Sequence, residues 1–373
     1  MLYCLHEEGK AGAARMNLPG KLRYGWVIAA LFLLCTLFCA SACSDMVLNP
    51  DGSISRPGTM TLRNETAVPD ATGEDLTLVP AGSSEIAETI VIRPADDPYA
   101  DAEHRLYVDF LSVGKADCIL LRMDEKVIMI DTGEKNDAAA ICRTLDGYGI
   151  TRIDCLILTH FDNDHIGAAA TVLETYTVAE VYMPDYVRDS KLYRAMASAL
   201  DQKQAAGTVV HRLYATDVQP ELGYGHVWIN ATAMQGYEPG QVIGADEDNE
   251  STDENNYSLI TAVAFGDMRL IFCGDAEGER MEEYLPLAEV QGFASCTLLK
   301  IPHHGSSADR GLLNAVRTWK PRYCVVCTDS AATVSGAVVT NMKSVGSGRY
   351  FTYEGTVCFS TDGSSAVIAV NGN

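Results

Sequence analysis

From residue 105 onward, apolar and polar positions alternate between two regimes. Short β-branched and aliphatic runs predict strands at 105–113, 117–122, 126–130, 153–158, 257–265, 268–273, 297–301 and 323–327. Between them, apolar residues recur three and four apart and predict helices near 136–147, 166–176, 190–205, 277–286 and 309–318. Strands alternating with helices imply a layered α/β domain, and periodicity alone takes the fold no further.

The first hundred residues read differently. Lys21 and Arg23 precede the apolar run Trp26–Phe38, and Ala40-Ser41-Ala42-Cys43 follows, the order of a secretory signal. The small residues before Cys43 resemble a bacterial lipobox, which would make Cys43 a lipidated first residue of the mature protein, although Ala40 departs from the usual leucine. An uncleaved membrane anchor is the alternative. In both cases the folded domain is expected outside the cytoplasmic membrane, and translation could start at Met1 or Met16. Residues 44–102 are rich in Pro, Gly, Ser, Thr and acidic side chains, with one β-like run at Ile90-Val91-Ile92, and suit a flexible tether. The expected organisation is therefore 1–43 signal or anchor, 44–102 linker and 103–373 the α/β domain.

The chain of 373 residues is 47% hydrophobic, enough for a sizeable core, and carries a formal net charge of -22. Asp246-Glu247-Asp248-Asn249-Glu250 with Asp253-Glu254 forms an acidic run, most simply a solvated loop. No basic stripe marks a track for a polyanion, which argues against stable nucleic-acid binding. Cys118, Cys155, Cys273, Cys296, Cys324 and Cys327 fall inside apolar strands and read as small buried hydrophobes. The Cys324-x-x-Cys327 spacing is not a redox or zinc motif in an extended strand, because positions i and i+3 face opposite ways.

Chemistry concentrates where strands end. His160-Phe161-Asp162-Asn163-Asp164-His165 follows the strand at 153–158 and packs four potential metal ligands into six positions. Groups so crowded would repel or lose solvation unless a cation sat among them. Asp275 follows the strand at 268–273 behind Gly274, which permits tight backbone approach, and His303-His304 follows the strand at 297–301.

Together with Val108–Asp117, Ile130-Asp131-Thr132-Gly133 and Asn255-Asn256-Tyr257-Ser258-Leu259, these segments resemble the metallo-β-lactamase fold hydrolases, and within them the metallo-hydrolase domain of ComEC/Rec2-type competence proteins. The resemblance runs from about Leu106 to about Gly363 and implies a four-layer αββα sandwich with the site along one edge of two sheets. It implies that His160 and Asp162 hold one divalent metal, that Asp164 and His165 hold a second, that Asp275 bridges them and that His304 completes the set. His303 would face substrate, and Asp131 would orient ligands from behind. Most members of the fold have histidine at Asp162 and near Asn255 or Asn256. The competence branch shares both changes, and the harder, oxygen-rich set makes manganese a rival to zinc. Where the competence domains carry a Gly-His-Pro loop, this chain reads Thr328-Asp329-Ser330-Ala331-Ala332.

That ligand set implies hydrolysis by water activated between paired metals, with Asp164 or Asp275 orienting or deprotonating the water and His303 serving the leaving group. The expected activity is an exported, membrane-tethered phosphodiesterase acting on DNA fragments or cell-envelope phosphodiesters. A lactam, lactone or thioester hydrolase of the same fold, or a non-catalytic DNA-uptake component, are the alternatives.

Overall fold

In the computed structural model the described residues are 47–48, 54–55, 98–99, 102–232, 238–243 and 254–371. Trp26–Phe38, Cys43, Ile90-Val91-Ile92 and the acidic run 246–250 lie outside them. The chain divides into two units, Met1–Ser84 and Glu85–Asn373. In the first unit the described residues form one antiparallel pair, Val47–Leu48 with Ile54–Ser55. Among the described residues no helix is long and apolar enough to cross a membrane.

The second unit holds two sheets. One begins with β1 (Leu106–Phe110), β2 (Ile119–Met123), β3 (Lys126–Ile130), β4 (Arg152–Ile157), β5 (Thr177–Pro184) and β7 (Val209–Leu213), and is extended beyond β1 by β16 (Thr356–Thr361) and β17 (Ala366–Asn371). Pairing is antiparallel from β17 through β3 and parallel from β3 through β4 and β5 to β7. The other sheet runs β8 (Asp217–Val218), β9 (His226–Asn230), β11 (Ile260–Phe265), β12 (Met268–Phe272), β13 (Leu298–Lys300), β14 (Tyr323–Val326) and β15 (Gly348–Phe351), and is parallel from β12 onward. A small parallel pair joins β6 (Tyr186–Arg188) to β10 (Gln241–Ile243).

Three cores define four layers. Between the sheets lie inward-facing residues of both, among them Val108, Phe110, Leu121, Ile128, Val263, Leu270, Phe272 and Phe359, with the Phe110 and Phe272 rings 6.0 Å apart. On the outer face of the first sheet pack α1 (Ala138–Gly147), α3 (Ala169–Thr175) and α4 (Lys191–Ala205), through Ile141, Leu145, Val172, Leu173, Met196 and Leu200. On the outer face of the second pack α5 (Gly278–Val290), α6 (Arg310–Trp319) and α7 (Gly336–Ser344), through Met281, Tyr284, Leu312, Val316, Trp319 and Val338. The αββα sandwich follows from these faces, each apolar side chain contributing about 1.5–3 kcal/mol by burial.

The helix starts are written locally: the Ser190 hydroxyl accepts from Tyr193 N at 3.1 Å and Asp309 Oδ1 from Leu312 N at 2.7 Å, capping α4 and α6. Helix α5 runs on through Pro286 to Val290, four residues beyond its expected end, because Tyr284 and Ala288 continue one buried face. Strands β5 to β10 and β15 to β17 and helix α7 were not anticipated. Cys324 packs outside the second sheet and Cys327 between the sheets, as opposite faces require, and the eight described cysteines are free thiols. Tyr99, ahead of the expected domain start, is buried, and its hydroxyl donates to Ser365 Oγ at 3.1 Å.

Candidate metal centre

The carboxyl ends of parallel strands from both sheets meet at one edge, the place where open α/β sheets bind ligands. Asp131 follows β3, His160 follows β4, Asp275 follows β12, His304 follows β13, and the Cys327 carbonyl follows β14. Between Thr159 and the start of β5, the chain turns into the short helix α2 (Asn163–Ile166), which presents Asp164 and His165. Gly274 stands at φ 53°, and a Cβ there would lie 2.8 Å from Thr159 Cβ, so glycine lets the Asp275 turn close on the His160 loop. His303 and His304 also have positive φ, 48° and 53°, inside the turn Pro302–Gly305, and Asp131 stands at 57°.

Three imidazoles are fully buried here: His160, His165 and His304. Each has its Nδ1 committed. His165 Nδ1 lies 2.7 Å from Asp131 Oδ2, and His304 Nδ1 lies 2.9 Å from the Cys327 carbonyl, so both nitrogens donate. Thr159 Oγ1 gives its proton to Asp131 Oδ2 at 2.6 Å, leaving a lone pair to accept from His160 Nδ1 at 3.1 Å. The tautomers assigned by these partners leave Nε2 as the lone-pair nitrogen in all three, and none of the three Nε2 atoms has a hydrogen-bond partner. A buried acceptor left without a donor is costly, and three converging ones are the signature of ligands awaiting a cation.

The spacing fits an ion. His165 Nε2 lies 3.3 Å from Asp275 Oδ1, and His304 Nε2 lies 3.2 Å from Asp275 Oδ2 and 3.3 Å from Asp164 Oδ2. Bonds of about 2.0–2.1 Å put neighbouring tetrahedral ligands about 3.3 Å apart. Asp164, His165, Asp275 and His304 each offer an atom within 4.8 Å of all the others. His160 lies beside them, its ring centroid 4.1 Å from that of His165 and tilted 51° to it, and its Nε2 is 3.6 Å from Asp162 Oδ2. Asp162 Oδ1 is ion-paired with Arg188. Four of the six expected ligands thus form one compact set, and His160 with Asp162 forms an adjoining pair.

Charge inside the site is tightly coupled. Burial alone would raise the Asp275 carboxyl, yet His304, His165 and Lys300 hold it well below the usual carboxylate range. Burial would likewise lower the imidazoles, but Asp275 and Asp131 carry His165 well above 6.5, and Asp275 with Asp164 lifts His304 to about 9. The proton that these charges favour sits on nitrogens that a metal would take.

His303 stands at the rim, 26% exposed, with Nδ1 2.7 Å from Glu277 Oε1. Several contributors escaped the sequence reading. Lys300 is buried beneath the cradle, ion-paired with Asp117, donating to the Gly274 carbonyl at 2.8 Å and lying 3.4 Å from Asp275 Oδ1. Its signal was a single lysine inside the apolar run Leu298–Ile301. Ser258 Oγ accepts from Asp275 N at 3.2 Å and lies 3.4 Å from His160 Nδ1, tying two ligands together. Asn256 instead caps α5, its Oδ1 accepting from Glu277 N and Arg280 N.

Residues 111–312, more than half of the chain, match the family model described as Metallo-beta-lactamase superfamily. ComE operon protein 3 of Bacillus subtilis (strain 168) is 25% identical over 223 residues, 55% of this chain and 26% of that protein. Recombination protein 2 of Haemophilus influenzae (strain ATCC 51907 / DSM 11121 / KW20 / Rd) is 25% identical over 217 residues, 56% of this chain and 23% of that protein. The chain therefore spans about a quarter of the length of these curated relatives. A solved structure described as a metal-dependent hydrolase of the beta-lactamase superfamily gives a TM-score of 0.42 at 12% identity, covering 72% of this chain and 100% of that one.

Proposed function

This chain belongs to the Metallo-beta-lactamase superfamily, and we propose that it is an exported, membrane-tethered phosphodiesterase that uses two divalent metals, zinc or manganese. The observation that carries the reading is the set of three buried imidazoles whose unpartnered Nε2 atoms converge on acidic side chains. Asp164, His165, Asp275 and His304 would hold one ion, and His160 with Asp162 the other, Asp275 being shared. Bound there, the ions supply Lewis acidity toward a phosphoryl oxygen and bring the pKa of water toward neutrality.

The chain's own groups do the rest. Asp131, Thr159 and the Cys327 carbonyl fix the three imidazoles, while Lys300 and Ser258 fix Asp275 from below. Asp164, with 24% of its side chain exposed, faces the opening and can take a proton from an incoming water. His303 Nδ1 lies 2.7 Å from Glu277 Oε1, and as the imidazolium beside that carboxylate it would hand the Nε2 proton to a departing alkoxide and keep the Nδ1 proton.

The net charge of -22 opposes a long polyanion, so the substrates favoured are short DNA fragments or cell-envelope diesters such as choline phosphate on teichoic acids. The name of one relative, Recombination protein 2, leans toward DNA. The basic and apolar segments ahead of Cys43 support a lipid or uncleaved anchor that holds the domain outside the cytoplasmic membrane.

Chromogenic phosphodiester, lactam and lactone substrates, assayed with Mn²⁺ and with Zn²⁺, test this directly. Phosphodiester turnover that disappears in Asp164→Asn and Asp275→Asn is the expected result. Preference for lactams or lactones would replace the substrate class. DNA binding with metal-insensitive turnover would replace catalysis with an uptake role.

A further inference from the structure

Among the described residues two protein cations touch the proposed ligands, and they act on different parts of the site. Lys300 lies against Asp275, which both metal positions share. Arg188 bears on Asp162 alone among the six ligands. Asp162 is split between two neighbours: its Oδ2 lies 3.6 Å from the unpartnered Nε2 of the fully buried His160, and its Oδ1 is held by the Arg188 Nη1.

That guanidinium is braced from behind. Its Nη1 lies 3.0 Å from Glu254 Oε2, and the hydroxyl of buried Tyr186 donates to the same carboxylate oxygen at 3.2 Å. Arg188 closes strand β6, whose pairing with β10 sets Arg188 opposite Ile243. The charge is permanent, because a guanidinium does not deprotonate in a protein.

We infer that Arg188 is a positioning residue that makes the His160–Asp162 position the weaker, exchangeable member of an unequal metal pair, with the Asp164–His165–Asp275–His304 position as the resident one. The inference rests on the two-metal reading above. Arg188 leaves Asp162 one oxygen for an ion, removes part of the negative charge that would attract it, and repels a second cation at short range in a half-buried setting. The other position has two carboxylates and two imidazoles, with Asp131 behind His165 and no guanidinium beside it among the described residues. Such an enzyme keeps one ion through dilution and gains the second only when free metal is plentiful.

The test is metal titration of the chelator-stripped full chain, followed by calorimetry for Mn²⁺ and separately for Zn²⁺, with elemental analysis after gel filtration. The wild type should retain one ion through filtration and bind the second at least about tenfold more weakly, and R188Q should tighten that second step by about tenfold while moving the first less than about threefold. D162N should remove the second step and spare the first. R188M, which keeps the aliphatic stem, gives the same reading if R188Q folds poorly. A folded Arg188 variant whose second step is unchanged or weaker overturns the inference, as do two equal steps in the wild type. Absence of any bound ion would instead overturn the metallohydrolase reading on which it rests.

Discussion

Stripped of metal, the protein should lose stability as the pH rises from 6.5 to 9, against the usual trend for a carboxylate-rich chain. The groups responsible are His304 and His165. Burial pushes both imidazoles toward the neutral form, but Asp275 and Asp164 lift His304 to about 9, and Asp275 and Asp131 raise His165 well above 6.5. In the unfolded chain both titrate near 6.5. Between those limits the folded state holds protons that the unfolded state has released, so the free energy of unfolding falls with rising pH. The contribution is fully present below pH 6.5 and is lost as the pH passes about 9. At about 1.36 kcal/mol per pH unit, His304 alone accounts for about 3 kcal/mol, and His165 adds in the same direction. In a domain of this size that lowers the melting temperature by roughly 6 °C or more. Scanning fluorimetry of chelator-treated protein across pH 6.5 to 9 measures it, with His304→Gln as the control that should flatten the slope. Saturating Mn²⁺ or Zn²⁺ should cancel the trend, because the ion takes the Nε2 that the proton held. A wild-type midpoint that is level or climbs with pH across this window refutes the assignment of charge in the cradle.

Three further outcomes follow from the packing around the site. Asp131→Asn removes the acceptor of both His165 Nδ1 and the Thr159 hydroxyl, and metal affinity in competition with a chelating dye should fall roughly 10- to 100-fold. Lys300→Met leaves Asp117 and Asp275 buried without their ammonium, and urea unfolding should register a loss of about 3–5 kcal/mol; adding Asp117→Asn should restore part of it. Gly311→Ala would set a Cβ 2.0 Å from the Gly278 carbonyl oxygen where α5 meets α6, and the melting transition should drop by an amount equivalent to about 1–3 kcal/mol while activity per folded molecule is kept.

What the residues disclosed in advance depended on how local the signal was. The eight strands foreseen are mainly apolar, and α4 and α6 begin at visible caps, Ser190 and Asp309. Strands such as Thr177–Pro184 and Val209–Leu213 were missed because polar residues inside them, Glu180, His211 and Arg212, interrupt the pattern. The cradle was legible for a similar reason: four candidate ligands stand within six positions at His160–His165, and Gly274 and Pro302 flag the other two turns. Arg188 and Lys300 were not legible, because each acquires its meaning only through partners far off in sequence, Glu254 and Asp162 for the first, Asp117 and Asp275 for the second. A buried cation is a tertiary fact, and no local period announces it.

The turn that carries His304 has its backbone pinned as well as twisted. His303 N donates to the Gly274 carbonyl at 3.3 Å, Ser335 N donates to the Gly305 carbonyl at 2.8 Å, and residues 303, 304 and 305 all have positive φ. A non-glycine residue held there costs about 1–2 kcal/mol and lies in a narrow well with little travel. The His304 arm of the cradle therefore has a fixed reach. An ion of calcium's radius, wanting oxygens at about 2.3–2.6 Å, would need that arm to swing outward, whereas one bonding at about 2.0–2.2 Å is met where the arm already stands. Any discrimination by ionic size at this arm would draw on three backbone torsions.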